Sequence, residues 1–220
     1  MHIEVIHNSK SIASESFRTL RSNIQFSNFG QSIQTIVVTS SNPNEGKSEV
    51  SINLAASLAQ QGKKVLLIDA DMRKPTQHKI IGVMNTEGLS KFLLRETGAK
   101  AIQRLEILDV KFDVLTSGPV PPNPSEMLAS YAMEQSIKAF VEHYDYVIID
   151  TPPLLAATDA QVLARIADAT LLVVDPKQSK RRQIVEAKKR LDNVGARLLG
   201  TVMNKLKLTE GNNYYYYYKY

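Results

Sequence analysis

The chain has 220 residues, 43% of them hydrophobic, which can bury a full core and at this length fits one domain. Cysteine is absent, which excludes disulfide frameworks and thiolate metal sites and fits a reducing cytosol. Apolar runs such as Val147 to Ile149 and Leu171 to Val174 are too short to cross a bilayer, and the N-terminus lacks a signal-peptide pattern.

Phe17, Leu20 and Ile24 recur at three- and four-residue intervals and predict a helix over Ser14 to Phe26, with Ser14 as its N-cap. On its polar side Glu15, Arg18 and Arg21 recur every three residues, forming one charged stripe within an arc of about 120°. An intrahelical Glu–Arg pair worth a few tenths of a kcal/mol explains such a stripe as well as a contact surface does.

Ile33 to Thr39 predicts the first core strand, and the stretch that follows organises the chain. The apolar run breaks into Ser40-Ser41-Asn42-Pro43-Asn44-Glu45 and ends in Gly46-Lys47-Ser48, followed by a helix from Ser48 to Gln61. Such a loop turns backbone N–H groups inward at a helix N-terminus, where donors and dipole favour a phosphate. Lys47 is expected to reach the β- and γ-phosphates and the Ser48 hydroxyl to sit on Mg²⁺. The usual pattern has Gly five residues before Gly46, where this chain has Ser41, so the loop is a variant. Val50, Leu54 and Leu58 form the inner stripe of the helix, and Gly62 caps it.

Val65-Leu66-Leu67-Ile68 reads as a parallel strand covered on both faces, running into Asp69-Ala70-Asp71-Met72-Arg73. Carboxylates at the C-terminal end of such a strand lie where open α/β sheets place ligands. On an extended segment Asp69 and Asp71 point the same way, so their like charges call for a cation such as Mg²⁺; an ordinary polar loop is the plainer alternative.

Gly88 to Leu94 predicts a short helix and Phe112 to Leu115 a strand. The run from Ser117 to Glu126 holds four prolines and reads as a stiff connector, with Pro124 starting a helix. A helix over Met127 to His143 leads into Tyr144-Asp145-Tyr146-Val147-Ile148-Ile149-Asp150-Thr151-Pro152-Pro153, again an apolar strand ending in a carboxylate. Asp150 there fits a metal-holding role. Asp159 to Ala167 is read as helix, Thr170 to Val174 as strand, Lys180 to Val194 as a basic helix and Leu198 to Met203 as the last strand. Asn204-Lys205 falls where a base-binding loop belongs.

The net charge of +5 raises a nucleic-acid reading, with Lys180-Arg181-Arg182 and Lys188-Lys189-Arg190 in one segment. Ile184, Val185, Ala187 and Leu191 interleave with these cations at helical spacing, so the expectation is a solvated helix face and not nucleic-acid binding; contact with anionic lipid stays open. Alternating strands and helices predict an α/β fold, an open, mostly parallel sheet with helices on both faces. After Gly211-Asn212-Asn213 the chain ends in Tyr214, Tyr215, Tyr216, Tyr217, Tyr218, Lys219 and Tyr220, a run with no amphipathic face and thus a mobile segment; its functional reading is a row of phosphate acceptors, beside a sticky partner-binding tail or a cloning scar. Lys207 to Tyr220, fully extended, spans about 40 Å at roughly 3.3 Å per residue, enough to enter a neighbouring subunit's site.

The variant loop, the Leu66 to Arg73 strand end, the Val147 to Pro152 strand end and the tyrosine tail together resemble the bacterial tyrosine kinases of capsular and exopolysaccharide synthesis, over Ser14 to Tyr220. The resemblance implies a P-loop NTPase-like domain over residues 1–206, with an oligomerisation helix at about 14–28 carrying Glu15, Arg18 and Arg21, and a flexible tail over 207–220. It implies ATP/ADP binding by Asn42, Pro43, Asn44, Glu45, Gly46, Lys47, Ser48, Glu49 and Asn204. Mg²⁺ is then held by Ser48, Asp71 and Asp150, with Lys47, Asp69 and Asp71 catalytic. It further implies autophosphorylation of the tail within a ring, activation by a cytoplasmic segment of a membrane protein, and a place at the inner face of the membrane through that partner. A tyrosine phosphatase and sugar-nucleotide enzymes are the other expected partners. Where the family usually has Gly this chain has Asn44, a residue that tolerates left-handed backbone. The rivals are a partition or septum-site type ATPase switch, which usually carries Lys where this chain has Asn42, and a nucleotide-gated scaffold without enzymatic activity.

Overall fold

The structure, a computed structural model, describes residues 2–27 and 32–206. The tyrosine cluster, Tyr214 to Tyr218 with Tyr220, lies outside the described residues. The strands are β1 Thr35–Ser40, β2 Val65–Asp69, β3 Ile102–Ile107, β4 Val110–Leu115, β5 Tyr146–Asp150, β6 Ala169–Val174 and β7 Leu198–Met203. They form one sheet in the order β3-β4-β2-β5-β1-β6-β7, parallel throughout except for the antiparallel pair of β3 and β4. This is the open, mostly parallel sheet that the sequence predicts.

Successive residues on the central strands feed two cores. Ile36, Val38, Leu67, Ile148 and Val173 face one side, and Val37, Leu66, Ile68, Val147, Ile149 and Leu172 the other, which is why these strands are apolar without alternation. The first side is covered by α1 Glu4–His7, α2 Ile12–Phe26 and α3 Lys47–Ala59, with α4 Gln77–Ile81 at its edge. The second is covered by α5 Leu89–Leu93, α6 Pro124–Leu128, α7 Tyr131–Val141, α8 Asp159–Ile166 and α9 Arg181–Asn193. No helix of the described residues is long and apolar enough to cross a membrane.

Several local expectations are corrected. The predicted one-sided stripe of α3 is instead a helix buried nearly all round, because α1 and α2 lie over its outer face; Val5 N–H donates to Asn53 Oδ1 at 3.1 Å across that contact. The N-cap of α2 is Ser11, which accepts from Ser14 N–H at 3.1 Å. Ser14 is buried, and its hydroxyl reaches the Asn8 carbonyl at 2.7 Å. The charged stripe on α2 is also divided. Glu15 and Arg18 pair at 2.7 Å on the surface, whereas Arg21 turns inward and donates to the Ser57 carbonyl of α3 at 2.7 Å. In α9, Ala187 and Leu191 are buried as predicted, but Val185 is exposed.

The helix predicted over Met127 to His143 is two helices, because Ser130 caps α7 by accepting from Met133 N–H at 3.2 Å. The strand predicted from Phe112 begins at Val110 and pairs with β3, which the sequence does not predict; Leu108, at φ 52°, makes the turn between them.

Three strand ends define the functional edge. β2, β5 and β1 are neighbours, and Asp69 is paired in register with Asp150. In-register partners on parallel strands lie about 4.8 Å apart, so the two acidic strand ends are brought together by the sheet itself.

Candidate active site

The loop from Asn42 to Gly46 leaves β1 and turns into α3 through two left-handed residues, Asn44 at φ 65° and Gly46 at φ 92°. Asn supplies the first of these without glycine because its short polar side chain tolerates that region. Gly46 has a second requirement: a Cβ there would lie 1.9 Å from the Asn204 side-chain nitrogen. Asn204, just past β7, is thus pressed onto the loop, donating to the Glu45 carbonyl at 3.3 Å and to Glu49 at 3.4 Å.

Glu45 plays a different part from the one its position implies. Its carboxylate is fully buried and accepts from Asn42 N–H at 2.9 Å and from the Ser179 hydroxyl, so it braces the loop from within and leaves only backbone for a nucleotide. Gln178 donates to the Pro43 carbonyl at 2.8 Å, and Lys205 reaches the Asn44 carbonyl while lying 3.4 Å from Asp175. The segment after β6 and the residues after β7 therefore clamp the loop. Asp175, Gln178 and Ser179 carry no local mark in the sequence; Gln178 and Ser179 meet the loop from 135 and 134 positions away, and Lys205, expected at a base-binding loop, meets it from 161.

Lys47, Asp71 and Asp150 converge. Lys47 Nζ lies 2.9 Å from Asp71 Oδ2, 3.7 Å from Asp150 Oδ1 and 3.3 Å from the Ser48 hydroxyl, with all four side chains buried. Burial works against the Lys47 charge, but Asp150 and Asp71 outweigh it, so its pKa is raised and the ammonium persists. Asp150 is raised by burial, which exceeds the opposing pull of Lys47.

Asp69 departs from the expected geometry. It is fully buried and accepts from the N–H groups of Gln77 at 2.9 Å, Thr76 at 3.0 Å and Asp71 at 3.2 Å. β2 ends at Asp69, so the alternation of an extended segment does not carry on to Asp71, which meets Asp69 through its backbone N–H. Burial, then the Asp150 charge, pushes Asp69 up to about 7, against the pull of its backbone donors.

Among the described residues no three acidic, His or Cys side chains gather as a ready metal cluster. The donor set of Ser48, Asp71 and Asp150 nonetheless suits a hard divalent cation. Three carboxylates, Asp69 included, stand against one ammonium, and Asp150 Oδ1 is buried without a hydrogen-bond partner among the described residues. Two further side chains stiffen this edge. Arg73 grips Asp159 through Nε at 2.9 Å and Nη2 at 3.1 Å and donates to Ser125 at 2.8 Å, tying the end of β2 to α6 and α8. Gln77 bridges to both Ser48 and Asp150. A cavity of about 540 Å³ lies elsewhere, near the start of β2, between Lys64, Arg104, Lys111 and Tyr144, and touches none of these groups.

The AAA domain family matches residues 33–198, from just before the first strand to the start of the last. Tyrosine-protein kinase YwqD of Bacillus subtilis is 44% identical over 209 residues, which cover 94% of this chain and 87% of YwqD. The chain belongs to the bacterial tyrosine-protein kinases. Within that family, the kinase domain of Escherichia coli tyrosine kinase ETK superposes with a TM-score of 0.91 at 35% identity, covering 96% of this chain and 82% of that domain. The chimerical protein CapA2B2 gives a TM-score of 0.89 at 42% identity, covering 94% of this chain and 90% of that one. As a tyrosine-protein kinase the chain is a phosphotransferase, and the rival reading as an ATPase switch is not favoured.

Proposed function

We propose that this kinase uses ATP and Mg²⁺ to phosphorylate its own C-terminal cluster, Tyr214 to Tyr218 and Tyr220, between subunits, and so regulates capsular or exopolysaccharide synthesis. The observation that best supports the reading is the buried meeting of Lys47, Asp71 and Asp150 at the mouth of the phosphate loop, with more acid than base. Ser48, Asp71 and Asp150 would hold Mg²⁺, which when bound neutralises phosphate charge. Backbone N–H groups from Asn44 to Ser48 would cradle the β- and γ-phosphates. The Lys47 ammonium would offset charge on the transferring group, and Asn204 would meet the base.

A tyrosine phenol, with a free pKa near 10, is neutral and a poor nucleophile at pH 7. Its oxygen forms the new bond to the γ-phosphorus as the bond to the β-phosphate bridging oxygen breaks and ADP leaves. The phenolic proton passes to Asp69, whose pKa of about 7 suits a base working at neutral pH, once an oxygen is released by the N–H groups of Asp71, Thr76 and Gln77. Glu15 and Arg18 on the open face of α2, with Arg21 behind them, would mediate a ring. A cytoplasmic segment of a membrane protein would activate the kinase and place it at the inner face of the membrane, with a tyrosine phosphatase and sugar-nucleotide enzymes as further partners.

Incubation with Mg-ATP, with and without that segment, followed by intact mass measurement tests the core of the reading. The expected result is stepwise additions of one phosphate, greater with the segment and abolished by Lys47→Met and by deletion of residues 207–220. Additions that persist in either variant would refute it.

A further inference from the structure

We infer that Gln77 is a positioning residue of the phosphoryl-transfer site, aligning Asp150 so that one of its oxygens stays open to a divalent cation. Gln77 begins α4 and is fully buried. Its Nε2 donates to Asp150 Oδ2 at 2.8 Å and to the Ser48 carbonyl at 3.0 Å, while its backbone N–H donates to Asp69 Oδ2 at 2.9 Å. One residue therefore ties the ends of β5 and β2 to the first turn of α3.

The chemistry of these partners fixes which end of the amide faces them. A carboxylate oxygen and a backbone carbonyl only accept, so the nitrogen must point at both and Oε1 must point away. Oε1 is indeed buried without a partner among the described residues, a cost tolerated to keep the two donors in place. Of the two Asp150 oxygens, Gln77 occupies Oδ2, and Oδ1 is the one without a hydrogen bond, on the side of Lys47. Gln77 thus stops the carboxylate from rotating and leaves Oδ1 on the side of Lys47, 3.7 Å from its Nζ. Glu would set acceptor against acceptor, and Leu or Met would leave Oδ2 and the Ser48 carbonyl bare.

This inference rests on the proposed Mg²⁺ site of Ser48, Asp71 and Asp150, and the test separates the two. ADP binding to the full chain is measured by calorimetry with Mg²⁺ and with EDTA, and the ratio of the two dissociation constants is compared between wild type, Gln77→Leu and Gln77→Glu. Groups that orient a metal ligand commonly contribute 10–100-fold to metal affinity. The expected result is a ratio at least about tenfold smaller in both variants, with Mg-free ADP affinity within about twofold of wild type. A variant with the wild-type ratio overturns the role of Gln77 alone; a wild type with no Mg²⁺ dependence overturns the metal site beneath it. Should both variants fail to fold, the side-chain amide NMR signals of Gln77 in the wild-type chain decide. They are expected to shift with Mg-ADP relative to ADP alone, and signals that Mg²⁺ does not move overturn the inference.

Discussion

Lys47 fills the space between two buried acids, so its removal has two separable effects. Without it Asp71 and Asp150 face each other uncompensated, and breaking a buried pair in this way costs about 3–5 kcal/mol. Lys47→Met should lower the urea stability of the metal-free protein by about that amount, should recover part of it in millimolar Mg²⁺, and should still abolish the phosphate additions seen by intact mass measurement. Equal loss with and without Mg²⁺ would show that the acids do not share a cation. Asp69 makes a second prediction. Its folded pKa, about 7, lies above the ordinary value of 3.8, so between these values the unfolded chain has released a proton that the folded chain keeps. Stability from this group is therefore full below about pH 4 and is lost as pH rises toward 7. Asp69→Asn cannot titrate, and the fall in urea midpoint between pH 5 and pH 8, measured without metal, should be shallower than in wild type.

At the scale of the element, α2 separates two arginines that the sequence puts on one stripe. Arg18 is in an exposed pair with Glu15, and Arg18→Ala should change subunit stability by less than about 1 kcal/mol while weakening self-association. Arg21 is buried on the Ser57 carbonyl, and Arg21→Ala should cost about 1.5–3 kcal/mol of stability in addition, as read by urea unfolding beside light scattering. The spacing of Glu15, Arg18 and Arg21 shows a shared face, but only the packing of α1 and α2 over α3 decides which member turns in. The same limit explains the other differences. The apolar strands and the loop at Gly46 are visible locally, since strand burial and turn geometry leave their mark within a few residues. β3 carries Gln103 at the slot where the alternation of Leu105 and Ile107 wants an apolar residue, which leaves too short a pattern to mark a strand. Asp71 and Asp150 are legible because each stands at or just past an apolar strand end, and Lys47 because it follows Gly46 where the loop enters α3. Glu45 as a brace, and Gln77 as a bridge, are not, because their partners lie up to 134 residues away.

For the whole molecule, the charge of +5 is small beside what the proposed reaction adds. Each phosphate brings about −1.5 to −2, so six modified tyrosines bring roughly −9 to −12 and reverse the sign of the chain. Full modification should shift an assembled ring toward smaller species, stronger at low salt than at high salt, in native mass measurement; an unchanged oligomer mass would rule out release by repulsion.

The pairing of Asp69 with Asp150 carries a consequence for folding fidelity. β5 is apolar toward both layers, so sliding it by one position against its neighbours would bury nearly the same hydrocarbon, and greasiness alone does not say where it should stop. Its polar extremities do: Asp145 accepts from Lys64 N–H at 2.7 Å at one tip, and Asp150 receives Gln77 at the other. The acid proposed to hold the metal thus also serves as an alignment mark, and exchanging it for an apolar residue endangers the correct seating of the central strand along with the proposed chemistry.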